Sequence, residues 1–436
     1  MKTGVYWKIA LKYLWRYRRR YLFLFLALGF GFGVLTVVSS LKDGMKENLY
    51  LSAQSHYVGD IIALGHESES NIRHHLTKTE QDIILAAAEE IFPDPVSIAV
   101  RTSIHGMDDG SLFYNGNTVP LKYVVGVDWE AEKDYFDQMV YTEEPNKPND
   151  NSIILSLPIA QELGIQPGDS LTLGVKTKTD QKNTGTFVVS AIVKDSNFFG
   201  YYKVFVSRII LNRLVGFDDQ DCSLIGFVVK DRKDIEKKRI ELYAKLQNRI
   251  QTGPLIHNRD DLNKENGRSI IGIRVLLLTL PVYLSEVSQL MGAIDLASYV
   301  LFAMMLAIIG ISAAVTCRLI LHERTRETGT MRAIGFYERD MRVVLQLEIV
   351  TMAFISMAAG FFLGMLINRL LSFTSFSWFP GFEVFMQNGR LGARYQSGTI
   401  VVNIIATGCM LALAIEGQIY RNSRSSLPEM LSGGVI

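Results

Sequence analysis

The chain has 436 residues, of which 48% are hydrophobic and 20% are charged, and its mean hydropathy is +0.16. Its 45 Lys and Arg nearly balance its 44 Asp and Glu, so the formal net charge is only +1. These values exclude intrinsic disorder, a disulfide scaffold and a basic nucleic-acid-binding protein, and they fit a chain that lies partly in a bilayer and partly in water.

The first 20 residues combine apolar and basic side chains. They contain seven Lys and Arg, no acidic residue, and two tryptophans, Trp7 and Trp15. A solvated run of charge would have a similar composition, but the tryptophans favour a helix that lies in the membrane interface. We therefore expect a cytoplasmic amphipathic elbow helix, with Arg18, Arg19 and Arg20 at the level of the lipid phosphates.

The first apolar run, residues 21–41, has 21 residues without a charge. A run of about 18 such residues is enough to indicate a membrane span. A cleaved signal peptide is the alternative, because basic residues precede the run, but its apolar core would have only about 7–15 residues. No small-x-small cleavage site is evident and residues 44–51 continue a helical pattern, so we expect a retained anchor.

Residues 44–290 are numerous enough to form a packed domain after this anchor. Runs of strand-forming residues predict strands at 57–64, 96–105, 121–128, 152–156, 170–175, 186–193 and 222–230. Apolar residues at helical spacing predict helices at 79–92, 158–163 and 232–250. We expect an α+β fold with stalk segments and an exposed hairpin tip at 176–185.

Residues that could carry chemistry are scarce in this domain. His66, His74 and His75 with Glu67 and Glu69 could be considered a metal cluster, but their spacing fits no standard site and a solvated loop explains them better. Cys222 is the domain's one cysteine, so no disulfide can form within it. The sequence has no phosphate-binding loop, no Gly-x-Ser-x-Gly and no His-Glu-x-x-His. We expect no catalytic residue, no cofactor-binding residue and no metal ligand in this chain.

Three further uncharged runs follow, at residues 296–317, 349–368 and 397–415. Each could be a buried helix of a large soluble protein. Four runs of this length, three of them clustered after residue 295, favour membrane spans instead. No acidic or basic residue lies at the centre of a span, which argues against an ion pump or a proton relay.

Basic residues predict the orientation of these spans. Residues 1–20 contain seven, the 318–342 loop contains six, and Arg421 and Arg424 follow the last span, against three in the 369–398 connection. The positive-inside rule then places both termini and the 318–342 loop in the cytoplasm, and the large domain outside. The expected order is elbow 1–20, span 21–43, periplasmic domain 44–290, span 291–317, coupling segment 318–342, span 343–368, extracytoplasmic loop 369–396, span 397–415 and cytoplasmic tail 416–436.

Small residues within the spans have the spacing of helix-packing motifs. Two G-x-x-x-G pairs and one weaker pair are expected to pack helices closely: Gly29 with Gly33, Gly360 with Gly364, and Gly310 with Ala314. The packing could be within one chain or against a second subunit, and the sequence leaves both possibilities open.

The 318–342 loop combines dense alternating charge with apolar residues. A positive-inside loop would explain its arginines, but Met331, Ala333 and Ile334 are apolar where no apolar residue is needed. This pattern indicates a docking surface. The candidate docking residues are Glu323, Arg324, Arg326, Glu327, Gly329, Met331, Arg332, Ala333, Ile334 and Gly335.

This loop resembles the coupling segment of the FtsX/MacB/LolC superfamily of ABC transporter permeases, which typically has E-R-x-R-E-I-G-x-x-R-A-x-G after its second span. Thr328 stands where that family usually has Ile. The tail at 427–431 is similar to the family's closing P-x-E-x-L element. Residues 125–128 and 154–173 resemble recurrent segments of its MacB-like periplasmic core domain, and the order of one span, a large domain and three spans is also similar.

The resemblance implies a non-catalytic permease subunit in a bacterial inner membrane, of the type VII, mechanotransmitting kind. Two permease subunits, identical or paralogous, would pair, and a dimer of separate ABC ATPase subunits would bind the ATP and Mg²⁺. Residues 154–173 and the chain length are most similar to the LolC/LolE permeases, which implies extraction of lipoproteins from the membrane lipid and their transfer to a periplasmic carrier. No nucleic-acid partner is expected.

Several other functions remain as alternatives. Within the superfamily these are a MacB-like tripartite efflux permease and an FtsX-like regulator of periplasmic enzymes, although FtsX-like chains have a much smaller outer domain. A signalling receptor would need a cytoplasmic output domain, for which only about 25 residues are available. A membrane-bound enzyme would need a catalytic constellation, which the sequence does not contain.

Overall fold

The computed structural model describes residues 3–16, 18–57, 59–67, 74–92, 97–106, 108–194, 200, 202–266, 268, 271–323, 329–331, 335, 337–376, 385–386 and 390–423. Its contacts divide the chain into two units. The helical unit consists of Met1–Asn48, Met291–Phe379 and Phe385–Ile436, and the sheet domain is formed mainly by Leu49–Leu290.

The helices are numbered here in chain order. Within the described ranges they are α1 (Thr3–Arg16), α2 (Arg18–Tyr57), α3 (Lys78–Ile91), α4 (Lys133–Asp137), α5 (Leu157–Leu163), α6 (Arg208–Val215), α7 (Ile235–Leu246), α8 (Arg259–Asn266), α9 (Leu280–Tyr283), α10 (Ser285–Glu323), α11 (Glu338–Leu371) and α12 (Ser397–Ser423).

Four of the described helices are long and apolar enough to cross a bilayer. The apolar stretches are Tyr21–Gln54 in α2, Val287–Glu323 in α10, Val343–Leu371 in α11 and Ser397–Ala414 in α12. Their mean hydropathies lie between 1.8 and 2.4, and a helix needs about 20 apolar residues to cross the hydrocarbon core. The prediction of four spanning helices is therefore confirmed at the level of length and composition.

The helical unit has its own apolar core. Tyr21, Leu24, Leu28 and Leu35 of α2 recur at helical spacing and are almost fully buried. They pack with buried residues of α10, α11 and α12, among them Ile309, Ala353 and Leu411. One face of α2 thus lies in the interior of the helical unit.

The sheet domain contains strands in a single mixed sheet. The described strands are β1 (Ile61–His66), β2 (Ile98–His105), β3 (Gly110–Tyr114), β4 (Asn117–Pro120), β5 (Tyr123–Val127), β6 (Ser152–Ser156), β7 (Ser170–Lys176), β8 (Lys182–Val193), β9 (Lys203–Ser207), β10 (Leu224–Phe227) and β11 (Arg274–Thr279). Their order is β11-β1-β10-β2-β5-β9-β6-β8-β7-β3-β4. The pairs β5–β9 and β6–β8 are parallel and the other pairs are antiparallel.

Two apolar cores stabilise this sheet. One is built on β5 to β9 with α5 and α6, and it includes Ile153, Phe187 and Val206. The other is built on β1, β10 and β11 with α3 and α7, and it includes Ile84 and Leu242. Strand β2 belongs to both halves, because its first residues pair with β10 and its last residues pair with β5. The sheet-rich domain therefore has mixed α/β content, as expected.

Several predicted boundaries in this domain are wrong. The strand expected at 57–64 begins only at Ile61, because α2 continues to Tyr57. Gly59, with φ +114°, turns the chain between them, and a Cβ there would lie 2.6 Å from the carbonyl oxygen of Phe227. The helix expected at 232–250 is limited to Ile235–Leu246, after a short 3₁₀ turn at Arg232–Asp234. The strand expected at 222–230 is limited to Leu224–Phe227.

The hairpin expected at 176–185 is shorter than predicted. Strands β7 and β8 pair from Ser170 with Val188 to Lys176 with Lys182, so only residues 177–181 form the turn. Asp180 has φ +62° in this turn, which Asp tolerates better than most residues. Strands β9 and β11 were not expected at all.

Candidate functional site

The predicted coupling segment follows α10 directly. Glu323 is the last residue of α10 and is exposed, while Gly329 is buried and Met331 is half-buried. Gly335 has φ +104°, a conformation that only glycine adopts easily, which explains its presence just before α11. The remaining predicted coupling residues, Arg324, Arg326, Glu327, Arg332, Ala333 and Ile334, lie outside the described residues.

Helix α1 contacts the predicted coupling segment. The hydroxyl of Tyr13 in α1 donates a long hydrogen bond to Met331 Sδ, with a separation of 3.9 Å. Helix α1 also packs along α11, the helix that follows the coupling segment. Ala10 is fully buried on this side of α1. Among the described residues, Met331 of the predicted coupling segment is therefore contacted by α1.

A buried hydrogen bond joins α2 to α11. The hydroxyl of Tyr21 donates to Glu348 Oε2 over 2.6 Å, and the exposed fractions of the two residues are 1% and 0%. Glu348 lies just before the uncharged run 349–368, inside both the expected span 343–368 and the candidate span Val343–Leu371. An acidic residue inside an apolar helix is the sequence signal that could have identified it.

The two G-x-x-x-G pairs face each other within one chain. A Cβ atom built on Gly33 would lie 3.1 Å from the carbonyl oxygen of Gly360. One on Gly364 would lie 2.9 Å from that of Gly33, and one on Gly360 would overlap Gly29. Helices α2 and α11 therefore approach each other so closely that no side chain fits between them. This is the geometry that small residues at a four-residue spacing permit.

The weaker small-residue pair, Gly310 with Ala314, lies outside the contact between α2 and α11. A Cβ atom on Gly310 of α10 would collide with the side chain of Met410 in α12, and Ala314 is half-buried one turn later. Gly310 therefore lies in a contact between α10 and α12 and takes no part in the contact between α2 and α11.

Polar side chains tie α2 to α11 and α12. Asn368 Nδ2 donates to Ser40 Oγ over 2.7 Å and to the hydroxyl of Tyr395 over 2.9 Å. Asn403 Nδ2 of α12 donates to Ser39 Oγ over 2.9 Å. These amides were not singled out from the sequence, although an Asn in an apolar helix is a recognised interhelical contact.

Charged groups flank this polar contact. Thr399 Oγ1 donates to Asp43 Oδ2 over 2.9 Å, and the guanidinium of Arg394 forms an ion pair with Glu47. Lys46 Nζ forms an ion pair of 2.7 Å with Asp295 of α10. The segment of α2 near residues 40–47 is therefore bound to α10, α11, α12 and the chain just before α12.

Within the sheet domain, two buried cations bind the end of α2. The carbonyl oxygen of His56 accepts from Lys203 Nζ over 2.5 Å and from a guanidinium nitrogen of Arg101 over 3.1 Å. Carbonyls at the end of a helix lack intrahelical partners and carry its negative dipole charge, so cations are favourable there. Lys203 and Arg101 are 2% and 3% exposed. The last turn of α2 is thus fixed to β9 and β2.

The charge of Arg101 is balanced locally. Glu132 forms a bidentate ion pair with its guanidinium. Burial lowers the pKa of Arg101, but the Glu132 carboxylate outweighs this effect and holds the pKa above its ordinary value. The side chain therefore remains a cation in the interior of the domain.

Asp60 completes the connection between α2 and the sheet. Its Oδ1 accepts from the hydroxyl of Tyr50 and from Gln54 Nε2, at 2.7 and 2.8 Å. Its Oδ2 accepts from the amide of Val229, and its carbonyl accepts from the amide of Leu280 at the start of α9. One residue therefore links the end of α2, the neighbourhood of β10 and the end of β11.

The histidines that were attributed to a solvated loop lie in different environments, and His66 and His75 are buried, so that interpretation is wrong for these two. His75 lies between two carboxylates, with Nδ1 3.2 Å from Glu67 and Nε2 2.8 Å from Asp221. His66 is fully buried, His74 packs edge-on to His105, and Glu69 lies outside the described residues. No group of three possible metal ligands occurs in the part of the chain that the structure describes.

One region of the chain matches a known protein family. Residues 299–419 match a family model described as FtsX-like permease C-terminal, and no curated protein matches the chain. The matched region includes the end of α10, the predicted coupling segment, α11 and most of α12. The match supports the FtsX/MacB/LolC superfamily, whose permeases are in general non-catalytic subunits that partner with ABC ATPase subunits. With the four apolar helices, it indicates a membrane protein.

Proposed function

We propose that this chain is the permease subunit of an ABC transporter in a bacterial inner membrane, and that it converts ATP hydrolysis by a separate ATPase into movement of its sheet domain. The observation that carries this proposal is the FtsX-like permease match over residues 299–419. ATP and Mg²⁺ belong to the ATPase subunits, two of which bind beneath a pair of permeases. No residue of this chain takes part in the hydrolysis.

The proposed orientation follows from the basic residues. Both termini and the coupling segment lie in the cytoplasm, and the sheet domain lies in the periplasm. The segment from Glu323 to Gly335 is then the docking surface for the ATPase. Its acidic, basic and apolar side chains are suited to a protein partner better than to lipid.

The proposed route of movement begins at this docking surface. The hydrogen bond between Tyr21 and Glu348 and the close glycine contact join α11 to α2. Helix α2 continues without a break from Arg18 to Tyr57. Its last turn is held in the sheet domain by Lys203, Arg101 and Asp60. In this proposal, a displacement of α2 is passed on through these buried ionic and polar contacts, which join its last turn to β9, β2 and the start of β1.

The proposed cargo is an acylated lipoprotein. Residues 154–173, which are similar to the LolC/LolE permeases, build the consecutive elements β6, α5 and β7 of the sheet domain. A polar conduit is not needed for such a cargo, because it is lifted from the membrane surface.

A release assay tests the cargo. Proteoliposomes containing this chain, its partner permease and the ATPase, loaded with a triacylated lipoprotein, should release the lipoprotein to a soluble carrier when ATP and Mg²⁺ are added. Release should be at least tenfold slower with a non-hydrolysable ATP analogue. If the complex assembles and hydrolyses ATP but releases no lipoprotein, the cargo assignment is wrong and efflux or enzyme regulation is favoured.

A further inference from the structure

Helix α1 has two different apolar faces. One face, with Ala10 fully buried and Tyr13 and Leu14 half-buried, packs towards the helical unit. The other face exposes three large side chains, each four residues from the next, so they lie in one row along the helix. These are Trp7, Leu11 and Trp15, which are 43%, 52% and 77% exposed. Among the described residues, none packs over this second face.

Basic side chains surround the exposed row. Lys12, Arg16, Arg18 and Arg19 are exposed, and the sequence has no acidic residue before Asp43. The guanidinium of Arg18 lies over the ring of Trp15, 5.8 Å from its centroid. Indole rings beside cations are typical of side chains at the boundary between hydrocarbon and lipid headgroups.

The position of α1 in the chain supports the same location. Its last residue, Arg16, is five residues before Tyr21, where the first candidate span begins. Trp15 is six residues before Tyr21, so this end of the exposed row lies near the start of the candidate span. Charge, apolar row and position together favour a lipid surface over a protein as the partner of this face.

We propose that α1 binds anionic phospholipid headgroups, with Trp7, Leu11 and Trp15 inserted at headgroup depth and Arg16, Arg18 and Arg19 at the lipid phosphates, and that this contact steadies the coupling segment through Tyr13 and Met331. The second clause rests on the proposed function, since it assigns a coupling role to the Met331 segment. The first clause is independent of it.

Tryptophan quenching tests the lipid contact in the full chain. Trp7, Trp129 and Trp378 are changed to Phe, so that Trp15 is the single tryptophan and can be excited selectively at 295 nm or above. The protein is reconstituted in nanodiscs that contain brominated phosphatidylglycerol or brominated phosphatidylcholine at equal mole fraction. We expect brominated phosphatidylglycerol to quench Trp15 at least twofold more strongly. A water-like emission that neither lipid quenches would overturn the proposal.

A matched pair of triple variants tests the role of charge. Arg16→Gln, Arg18→Gln and Arg19→Gln together should remove the preference for phosphatidylglycerol while quenching by phosphatidylcholine persists. Lys133→Gln, Lys182→Gln and Lys237→Gln change three exposed cations of the sheet domain and should leave the preference intact. If both variants keep the preference, the arginines do not recognise the lipid charge and the proposal fails.

ATP turnover tests the connection to the coupling segment. With the ATPase bound, replacing phosphatidylcholine by 30% phosphatidylglycerol should raise turnover at least twofold, and Tyr13→Ala should abolish this rise without changing Trp15 quenching. A rise that survives Tyr13→Ala overturns the second clause alone. If no ATPase binds this chain, the proposed function fails, whereas the quenching result still decides the lipid contact.

Discussion

A Cβ atom on Gly364 would lie 2.9 Å from the carbonyl oxygen of Gly33, so α11 and α2 touch backbone to backbone at this point. Atoms at that distance are in steric overlap, and the two helices would have to separate to admit even a methyl group. The contact lies between the hydrogen bond of Tyr21 with Glu348 and the polar contact of Ser40 with Asn368. Three successive contacts therefore hold α2 and α11 together along their lengths.

The first prediction concerns the glycine contact. Gly360→Ala should reduce the stability of the helical unit by about 1–3 kcal/mol, because the added methyl group overpacks a closed interface. Gly408→Ala is the matched control, since Gly408 also lies in a spanning helix but has open space where its Cβ would be. Thermal unfolding in detergent should show a lower Tm for Gly360→Ala and an equal or higher Tm for Gly408→Ala. Equal Tm values for the two variants would be inconsistent with the close packing.

The second prediction concerns the buried hydrogen bond. Tyr21→Phe removes the hydroxyl that donates to Glu348 and should cost about 1–3 kcal/mol, because the carboxyl group loses a partner in an apolar interior. Tyr299→Phe removes a hydroxyl from a tyrosine that is 66% exposed and should have almost no effect. The comparison is made by thermal unfolding of the two variants in the same detergent. Indistinguishable losses would mean that the bond does not stabilise the contact between α2 and α11.

The third prediction concerns the cations at the end of α2. Arg101→Met should destabilise the sheet domain by about 3–5 kcal/mol, because it leaves the buried Glu132 carboxylate without its partner. Lys203→Met should cost less, since it removes a cation from a carbonyl and leaves no buried charge. Lys237→Met, at an exposed position, is the control. Limited proteolysis of the full chain reports opening of the sheet domain. Cleavage should be fastest in Arg101→Met, slower in Lys203→Met and slowest in the wild type. The reverse order of the two variants would contradict the assigned pairing.

The fourth prediction is a pH dependence. Burial raises the pKa of Cys222 from its ordinary value of 9.0 to about 12. Below pH 9 the thiol is neutral in the folded and unfolded states, so its contribution to stability is fully present there. Between pH 9 and 12 only the unfolded state loses the proton, so this contribution is lost as the pH rises.

Alkylation reports the burial of the thiol and its neutral state together. At pH 8.5, N-ethylmaleimide should modify Cys222 at least a hundredfold more slowly in the folded chain than after denaturation, as measured by mass spectrometry of its peptide. Cys222→Ala should also flatten the fall in stability above pH 9. Rapid modification of Cys222 in the folded chain would show that the thiol is accessible and ionised.

The sequence predicted the spans far better than their ends. Runs without charge identify α2, α10, α11 and α12 because a bilayer requires about 20 apolar residues. The extension of α2 to Tyr57 could not be found this way, because its later turns bury one face, with Leu49, Ala53 and His56, rather than all faces. Whether a helix continues past its apolar run as an amphipathic helix depends on the domain that covers its buried face.

Seven of the eleven described strands were predicted from the sequence, but the order of the strands in the sheet was not. Strand β10 pairs with both β1 and β2, although more than a hundred residues separate it from either. Such pairings depend on long-range packing that leaves no local pattern. The same reason explains why Lys203 and Arg101 were missed, since their meeting point, the carbonyl of His56, is defined only by the fold. The glycine pairs were visible because their four-residue spacing is itself the packing motif.

The most direct test of the central claim is co-purification from native membranes in mild detergent, followed by a measurement of ATP turnover. We expect an ABC ATPase to accompany the wild-type chain and the exposed control Glu143→Lys. Glu327→Lys or Gly329→Trp should reduce both the bound ATPase and its turnover at least tenfold. The absence of any ATPase from the wild-type complex, or undiminished binding and turnover in both coupling variants, would contradict the central claim.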